Sequence, residues 1–180
     1  CSSDLVITSG TVAVNTWYHV AVCKSGTSTK MFLNGVQAGS TYSDTTTYVS
    51  TNPISVGKTF DNFYLYGYLN DTRITVGSAL YTTAFTPPTA PLTAVTNTQL
   101  LLNYTNAGIY DATMINDLIT VGSAQISTST FKYGTGSIKF NGSTDQIIVG
   151  TANPPIHIFT ATPFTIEAWL YATDRKSTRL

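Results

Sequence analysis

The chain has 180 residues, of which only 10% are charged, and its formal net charge is zero. That balance excludes the basic surface that binding to nucleic acid or to anionic lipid requires, and no apolar run is long enough to span a membrane. Glu occurs once, at Glu167, so the long exposed helix faces that need Glu and Lys are disfavoured. The abundant Thr, Val, Ser, Asn and Gly favour strands and turns instead, and we therefore expect an all-β protein.

The first half of the chain reads as short strands with a turn signal roughly every 8–12 residues, which is typical of a sandwich or barrel. Asn34-Gly35 supplies the positive φ angles of a tight hairpin turn. The predicted strands lie in DLVIT (4–8), TWYHVAVCK (16–24), KMFLNGVQA (30–38), PISVGK (53–58) and YGYLNDTRIT (66–75).

A proline-rich segment then interrupts the strand pattern. FTPPTAPLTA (85–94) contains Pro87, Pro88 and Pro91, which cannot donate ladder hydrogen bonds, so we expect an extended exit segment or linker. After it the strand pattern resumes. The second set comprises TQLLLNYT (98–105), an irregular polar loop (105–120), SAQISTSTFKYGTGSIKF (123–140), DQIIVG (145–150) and FTIEAWLYA (164–172).

The last of these strands has two faces of different character. Ile166 and Leu170 share the apolar face, whereas Glu167 shares the other face with Trp169. Because a large aromatic side chain accompanies the carboxylate, we expect both faces to be at least partly covered.

Several ordered segments resemble laminin-G-like, concanavalin A-like lectin/glucanase domains of the pentraxin-related type. NTWYHVAVCKSGTSTKMFLNGVQ (15–37) and ISVGKTFDNFYLYGYLNDTRITVGSALYTTAFTPP (54–88) are similar to the C-terminal half of such a domain. TQLLLNYTN (98–106), FKYGTGSIKFNGSTDQIIV (131–149) and FTIEAWLY (164–171) are similar to its N-terminal half. The resemblance implies an antiparallel jelly-roll β-sandwich.

The two halves stand in inverted order. One interpretation is a tandem repeat: residues 1–92 are the C-terminal half of one domain, 93–96 a linker, and 97–173 the N-terminal half of the next. The other is a single domain assembled as a circular permutant, against which the strands expected between the two halves are missing. Residues 174–180, DRKSTRL, break from the low-charge style and resemble the translation of a sequencing-library adapter, so we interpret them as a non-native tail.

The resemblance implies a noncatalytic carbohydrate- or protein-binding, or structural, module of a multidomain extracellular, cell-surface or phage-tail-type virion protein. Its partners would be a glycan or a surface protein and neighbouring repeats of the same chain. The alternative is an accessory or catalytic domain of a carbohydrate-active enzyme. Glycosidases of this superfamily carry paired carboxylates on one strand, and the solitary Glu167 lacks that pattern. We therefore predict no catalytic residues and no enzyme.

Asp61 and Asn62 lie in a loop that resembles the acidic second half of the pentraxin calcium site. Calcium prefers several hard oxygen ligands, and this pair offers one carboxylate and one amide. We predict Asp61 and Asn62 as candidate calcium ligands, with ordinary loop polarity as the alternative.

Phe63 and Tyr64 follow directly in this loop. An aromatic ring can stack on the apolar face of a sugar while polar groups bind its hydroxyls, so both are candidate glycan contacts. Tyr66 and Tyr68 fit ordinary packing on a strand. Asp145, beyond the turn predicted at Asn141-Gly142, is a third candidate glycan contact.

The remaining chemistry-bearing residues are predicted to be structural. His19 lies in a strand at a packing position, and His157 follows two prolines in a loop without triad-like partners. Cys23 is predicted to be a buried free thiol rather than the partner of Cys1. Asp71 and Arg73, two residues apart on a strand, are predicted to form an ion pair.

Overall fold

Strands and turns make up the part of the chain that the structure, a computed structural model, describes: residues 12–46, 48–49, 53–59, 61–150, 158–159 and 163–174. These residues contain no helix, which confirms the all-β prediction. Nor do they contain a helix long and apolar enough to cross a membrane. The strands are β1 (Trp17–Ser25), β2 (Ser28–Leu33), β3 (Val36–Ser43), β4 (Tyr48–Val49), β5 (Ile54–Val56), β6 (Tyr66–Val76), β7 (Thr98–Leu102), β8 (Leu118–Val121), β9 (Gln125–Ser127), β10 (Ser137–Asn141), β11 (Gln146–Val149), β12 (Ile158–Phe159) and β13 (Phe164–Ala172).

Eight strands form one antiparallel sheet in the order β3-β2-β1-β13-β6-β10-β9, with β7 also paired to β6. The central strand β6 is 11 residues long and pairs with β13 on one side and with β10 and then β7 on the other. β1 pairs with β13 from Trp17↔Tyr171 to Lys24↔Phe164. Strands from both halves of the sequence therefore alternate within one sheet, while the division of the chain at residues 93–96 remains a prediction.

A second sheet of three strands, in the order β5-β11-β8, packs against one face of the large sheet. We call that face the inner face and the opposite one the outer face. The shared core combines residues of both sheets: Val56, Ile147 and Val149 from the small sheet, and Ile74, Leu100, Leu102, Ile138 and Phe140 from the large one. Burial of these apolar side chains on both sheets makes the protein an antiparallel β-sandwich, as predicted.

The hairpin predicted at Asn34-Gly35 is present between β2 and β3. Asn34 has φ 49° and Gly35 has φ 78°, the left-handed pair that a two-residue turn between twisted strands requires. A side chain at Gly35 would also meet the backbone oxygen of Phe85, because a Cβ atom there would lie 1.9 Å from it. This turn is therefore fixed both by its own geometry and by the segment that crosses it.

That crossing segment, residues 77–97, is called the strap below. It contains the proline-rich stretch and lies on the outer face of the large sheet. The Phe85 amide donates to the Gly35 carbonyl at 2.9 Å, and the Phe85 ring packs edge-on against Phe32. Tyr81 stacks on Phe85 with ring centroids 3.6 Å apart, and Leu92 is buried. Residues 85–94, expected to be an extended exit segment or linker, belong to this strap and pack against the outer face of the sheet through Phe85.

Candidate functional site

A tight loop between β5 and β6, residues 57–65, carries most of the predicted site residues, and the structure describes its residues 57–59 and 61–65. Lys58 and Tyr64 form a β-bridge, and the Thr59 amide donates to the Phe63 carbonyl at 2.9 Å, so the loop folds back on itself. Gly57 has φ 89°, and a Cβ atom there would lie 2.3 Å from the Phe140 ring. Only glycine fits at that position, and this contact anchors the loop to the core of the sandwich.

An open groove of about 490 Å³ lies between this loop and the inner face of the large sheet. It is located over β1, β13 and β6. The described residues that line it are mostly aliphatic: Val20, Val22, Leu69, Ile166, Ala168 and Leu170 form the floor, and Gly57, Lys58, Thr59, Phe63, Tyr64 and Leu65 form the loop side. Glu167 also contributes to the floor, although it is only 1% exposed and its carboxylate is bound on the outer face. Its size and apolar lining are those of a ligand-binding cleft.

The loop side of the groove supplies its aromatic and polar groups. The Phe63 side chain is 70% exposed, which is unusual for a ring of that size. Tyr64 is half-buried, and the Lys58 ammonium lies 5.5 Å from the centroid of its ring in a cation–π contact. The structure thus brings the predicted residues Phe63 and Tyr64 together at one groove and adds Lys58, which the sequence did not single out.

Asp61 and Asn62 occupy the exposed tip of the same loop. Asn62 adopts φ 61° and its amide donates to the Thr59 carbonyl at 3.2 Å, which is ordinary turn geometry. The described residues contain no group of three or more His, Cys, Asp or Glu side chains that could hold a metal ion. Because calcium takes six to eight oxygen ligands, one carboxylate and one amide at this tip would need further ligands to hold it. Calcium binding at Asp61 and Asn62 stays a prediction.

Asp145 lies away from the groove, in the turn between β10 and β11. Its carboxylate accepts hydrogen bonds from the backbone amides of Ser123 at 2.7 Å and Asn141 at 2.9 Å. The residue is buried, so its carboxylate holds two turns together rather than facing solvent. Its predicted contact with a glycan remains a prediction, and we do not include it in the site. The turn predicted at Asn141-Gly142 is present, with Gly142 at φ 76°.

The outer face of the large sheet carries a buried polar cluster around Glu167. The carboxylate accepts hydrogen bonds from Arg73 Nε at 2.8 Å, His19 Nε2 at 3.0 Å and the Tyr81 hydroxyl at 2.9 Å. Arg73 Nη2 donates to the same carboxylate oxygen as Arg73 Nε. Burial by itself would raise the pKa of Glu167, but the His19 hydrogen bond and the Arg73 charge outweigh burial and hold the pKa below its ordinary value.

The predicted ion pair between Asp71 and Arg73 is wrong. A β-bulge interrupts the pairing of β6 with β13 between Glu167↔Arg73 and Trp169↔Asn70. Asp71 lies at this bulge with φ 52°, and its Oδ1 accepts from Asn103 Nδ2 at 2.8 Å. The extra residue disrupts the regular alternation of side chains on which the prediction depended.

His19 and Cys23 are placed as predicted. Both are buried on β1, and Cys23 is a free thiol whose sulfur contacts Thr165 Oγ1 at 3.2 Å. The partner of His19, Glu167, is 148 positions away in sequence, so spacing alone could not reveal the pair. The only indication in the sequence that Glu167 is buried was the strand face that it shares with Trp169. His157, Cys1 and the strand predicted at residues 4–8 lie outside the described residues.

A comparison with known protein families matches the first half of the chain. Residues 2–84 are similar to the family described as the concanavalin A-like lectin/glucanases superfamily, and the matched region includes β1, β6 and the whole loop from 57 to 65. No curated protein and no solved structure matches the chain significantly.

Proposed function

Because residues 2–84 belong to the concanavalin A-like lectin/glucanase superfamily, we propose that the protein is a noncatalytic recognition module that binds a carbohydrate or a protein through the groove at loop 57–65. Membership of the superfamily supports a carbohydrate- or protein-binding module in general. The groove is the feature of this chain that indicates where such a ligand would bind.

One observation carries the proposal: Phe63 is 70% exposed at the edge of an aliphatic groove. An exposed ring costs free energy in water, and stacking against the apolar face of a ligand recovers it. The neighbouring Lys58 and Thr59 can bind hydroxyls or carbonyls at the same edge, because ammonium and hydroxyl groups both donate hydrogen bonds. This combination of an apolar floor and few polar groups is typical of recognition sites.

A catalytic function is less well supported. The superfamily also includes glycosidases, which use two carboxyl groups on either side of the scissile bond. The only Glu of the chain, Glu167, is 1% exposed and its carboxylate is engaged by Arg73, His19 and Tyr81. A carboxylate held in that way has no access to a substrate, so we do not assign it a catalytic role.

We further propose that the module works at a cell surface or in a virion, beside neighbouring repeats of the same chain. The support is compositional. Charged residues are scarce at 10%, and Ser, Thr, Asn and Gly supply the polar surface, a style that suits repeated extracellular modules.

The test is a glycan array with the whole chain, run with calcium and with a chelator. Phe63→Ala removes the exposed ring, and Phe131→Ala is the matched control because Phe131 is also exposed, at 40%, but lies outside the groove. We expect Phe63→Ala to weaken binding by about tenfold or more and the control to leave it unchanged. The chelator tests the predicted calcium ligands Asp61 and Asn62, because binding that depends on calcium would be lost with it. Absence of binding in both conditions would overturn glycan recognition at this groove.

A further inference from the structure

A row of aromatic side chains crosses the outer face of the large sheet, on the opposite face from the groove. Trp17 on β1 lies opposite Tyr171 on β13, and Tyr171 lies opposite Tyr68 on β6. Adjacent strands are about 4.8 Å apart, so residues in register form a straight line across the sheet. Indeed, the ring centroids of Trp17 and Tyr171 are 5.2 Å apart, and those of Tyr171 and Tyr68 are 5.6 Å apart.

The row continues with polar side chains. Lys139 on β10 lies opposite Tyr68, and Gln125 on β9 lies opposite Lys139. Both are exposed. Their neighbours Ile138 and Ile126 pack into the core, so Lys139 and Gln125 point to the outer face, as the alternation of strands requires. Five adjacent strands thus contribute one continuous line of three rings, an amine and an amide.

The strap leaves this row partly open. Its rings, Tyr81 and Phe85, contact His19, which is the next outward-facing residue of β1 after Trp17. Trp17, Tyr171 and Tyr68 are each half-buried rather than covered. The strap therefore borders the row along one side and forms a step beside it.

The polar atoms of the three rings are available to a ligand. Within the described part of the chain, neither the Trp17 indole nitrogen nor the hydroxyls of Tyr68 and Tyr171 makes a hydrogen bond, and none belongs to the buried polar atoms that lack a partner. They consequently reach solvent. Tyr and Trp at recognition surfaces combine an apolar ring with such an available polar group.

We propose that this row is a second binding site, for an extended polysaccharide chain that lies across the strands. Because the Trp17 and Tyr171 planes are tilted by 53° and those of Tyr171 and Tyr68 by 78°, successive sugar units contact ring edges as well as ring faces. Their hydroxyls bind the free Tyr hydroxyls, Lys139 and Gln125. The site is independent of the groove at loop 57–65 because the two lie on opposite faces of the sheet. A chain ligand fits better than a single sugar, since the row extends over five strands.

Single-stranded nucleic acid also stacks on aromatic residues, but its phosphates require a basic groove. The row contains a single cation, Lys139; the nearby Lys132 lies over the Trp169 ring at 4.6 Å, and the formal net charge of the chain is zero. A largely neutral polysaccharide with many hydroxyl groups therefore matches this surface better than a nucleic acid does.

The experiment is affinity gel electrophoresis of the whole chain in gels that contain hydroxyethyl cellulose or xylan. Trp17→Ala and Tyr68→Ala remove ring faces from the row. Tyr110→Ala is the matched control, since Tyr110 is exposed but lies in a loop elsewhere, and Phe63→Ala tests the groove. We expect at least one polysaccharide to retard the protein, with about tenfold weaker binding for the two row variants and no change for the other two.

If the alanine variants fail to fold, a fluorescence measurement on the wild type and on Trp17→Phe tests the same site. The chain has two Trp residues, and Trp169 is 5% exposed, so acrylamide quenching reports mainly on Trp17. The retarding polysaccharide should protect wild-type fluorescence from acrylamide, and Trp17→Phe should abolish that protection. The proposal is overturned if no polysaccharide retards the protein or if only Phe63→Ala weakens binding. It is also overturned if a thymidine oligonucleotide binds the protein and the polysaccharides do not.

Discussion

Arg73 and Glu167 lie directly opposite each other on β6 and β13, and Arg73 Nε donates to Glu167 Oε1 at 2.8 Å in a site with almost no solvent access. The pair connects the two central strands, which come from different halves of the sequence. Arg73 Nη1 also donates to the Thr93 carbonyl of the strap at 2.7 Å. One guanidinium therefore joins both strands and the covering segment.

Glu167→Gln should destabilise the protein by about 3–5 kcal/mol, because it leaves the Arg73 charge buried without a counter-ion. Urea denaturation at about pH 7 measures the free energy of unfolding. Asp61→Asn is the matched control, since it also neutralises a carboxylate but at an exposed position, and its effect should stay within about 0.5 kcal/mol. Equal effects of the two changes would contradict the assigned role of the pair.

The same carboxylate predicts an acid-sensitive fold. The pKa of Glu167 is lower in the folded chain than its ordinary value of 4.5. The unfolded chain therefore binds the proton more readily, so this stabilisation is present above about pH 4.5 and is lost as the pH falls through the folded pKa. Thermal unfolding across this range should show the loss in the wild type and a flatter profile in Glu167→Gln. Identical profiles would contradict the prediction.

Asp71 has the opposite effect on the pH dependence of stability. Burial raises its pKa to about 6, from an ordinary 3.8, so ionisation above that pH costs folding free energy. Asp71→Asn should stabilise the protein by up to about 3 kcal/mol near pH 7, and the gain should vanish below about pH 4. Asn can accept the Asn103 hydrogen bond and also tolerates the φ of 52° at this bulge.

Unfolding curves of Asp71→Asn at both pH values provide the measurement. Asp111→Asn is an informative contrast, because hydrogen bonds from Thr113 and the Leu101 amide outweigh the effect of burial and lower the pKa of Asp111. That change should destabilise the protein at about pH 7. A loss of stability at about pH 7 in Asp71→Asn would contradict the prediction, because it would mean that burial does not destabilise the ionised carboxylate.

Gly35→Ala should disrupt the contact between the β2–β3 turn and the strap. The new Cβ atom would lie 1.9 Å from the Phe85 carbonyl oxygen, whereas a Cβ atom at Gly26 would meet nothing within 4 Å. Both glycines have positive φ, 78° and 58°, so Gly26→Ala isolates the backbone cost of about 1–2 kcal/mol. The loss of stability in Gly35→Ala should exceed it by at least about 1 kcal/mol, and similar losses would mean that the strap moves away freely.

Local features were readable from the sequence because their causes are local. The Asn34-Gly35 turn follows from the conformations that these two residues adopt readily. The burial of Cys23 and His19 follows from their place in a strongly apolar strand, and the two faces of β13 follow from a period of two. Phe63 was a candidate glycan contact because it follows Asp61 and Asn62 in a loop rather than lying on a strand, and its observed exposure of 70% fits that position.

Contacts between segments that are distant in the sequence could not be predicted from the sequence. The Asp71–Arg73 pair was predicted from regular alternation, and a single bulge gave Arg73 the partner Glu167 instead. Asp145 is predicted only as a candidate glycan contact, and the sequence did not reveal that backbone amides of two turns bind its buried carboxylate. Residues 85–94 are predicted to be an extended exit segment or linker because prolines cannot donate ladder hydrogen bonds, but side-chain packing needs no ladder and fixes Phe85 to the sheet.

By itself, the sequence determined an all-β chain, its main turns, the loop that borders the groove and most of the described strands, because each follows from residue preferences within a few positions. An exception is β8, since Leu118–Val121 lies largely in the segment 105–120 that is predicted to be an irregular loop. The tertiary structure decided which strands are neighbours, and so decided that Glu167 meets Arg73 and His19 and that Trp17, Tyr171 and Tyr68 form one row. Strand order and register depend on the free energy of the whole assembled core, and no single segment carries that information.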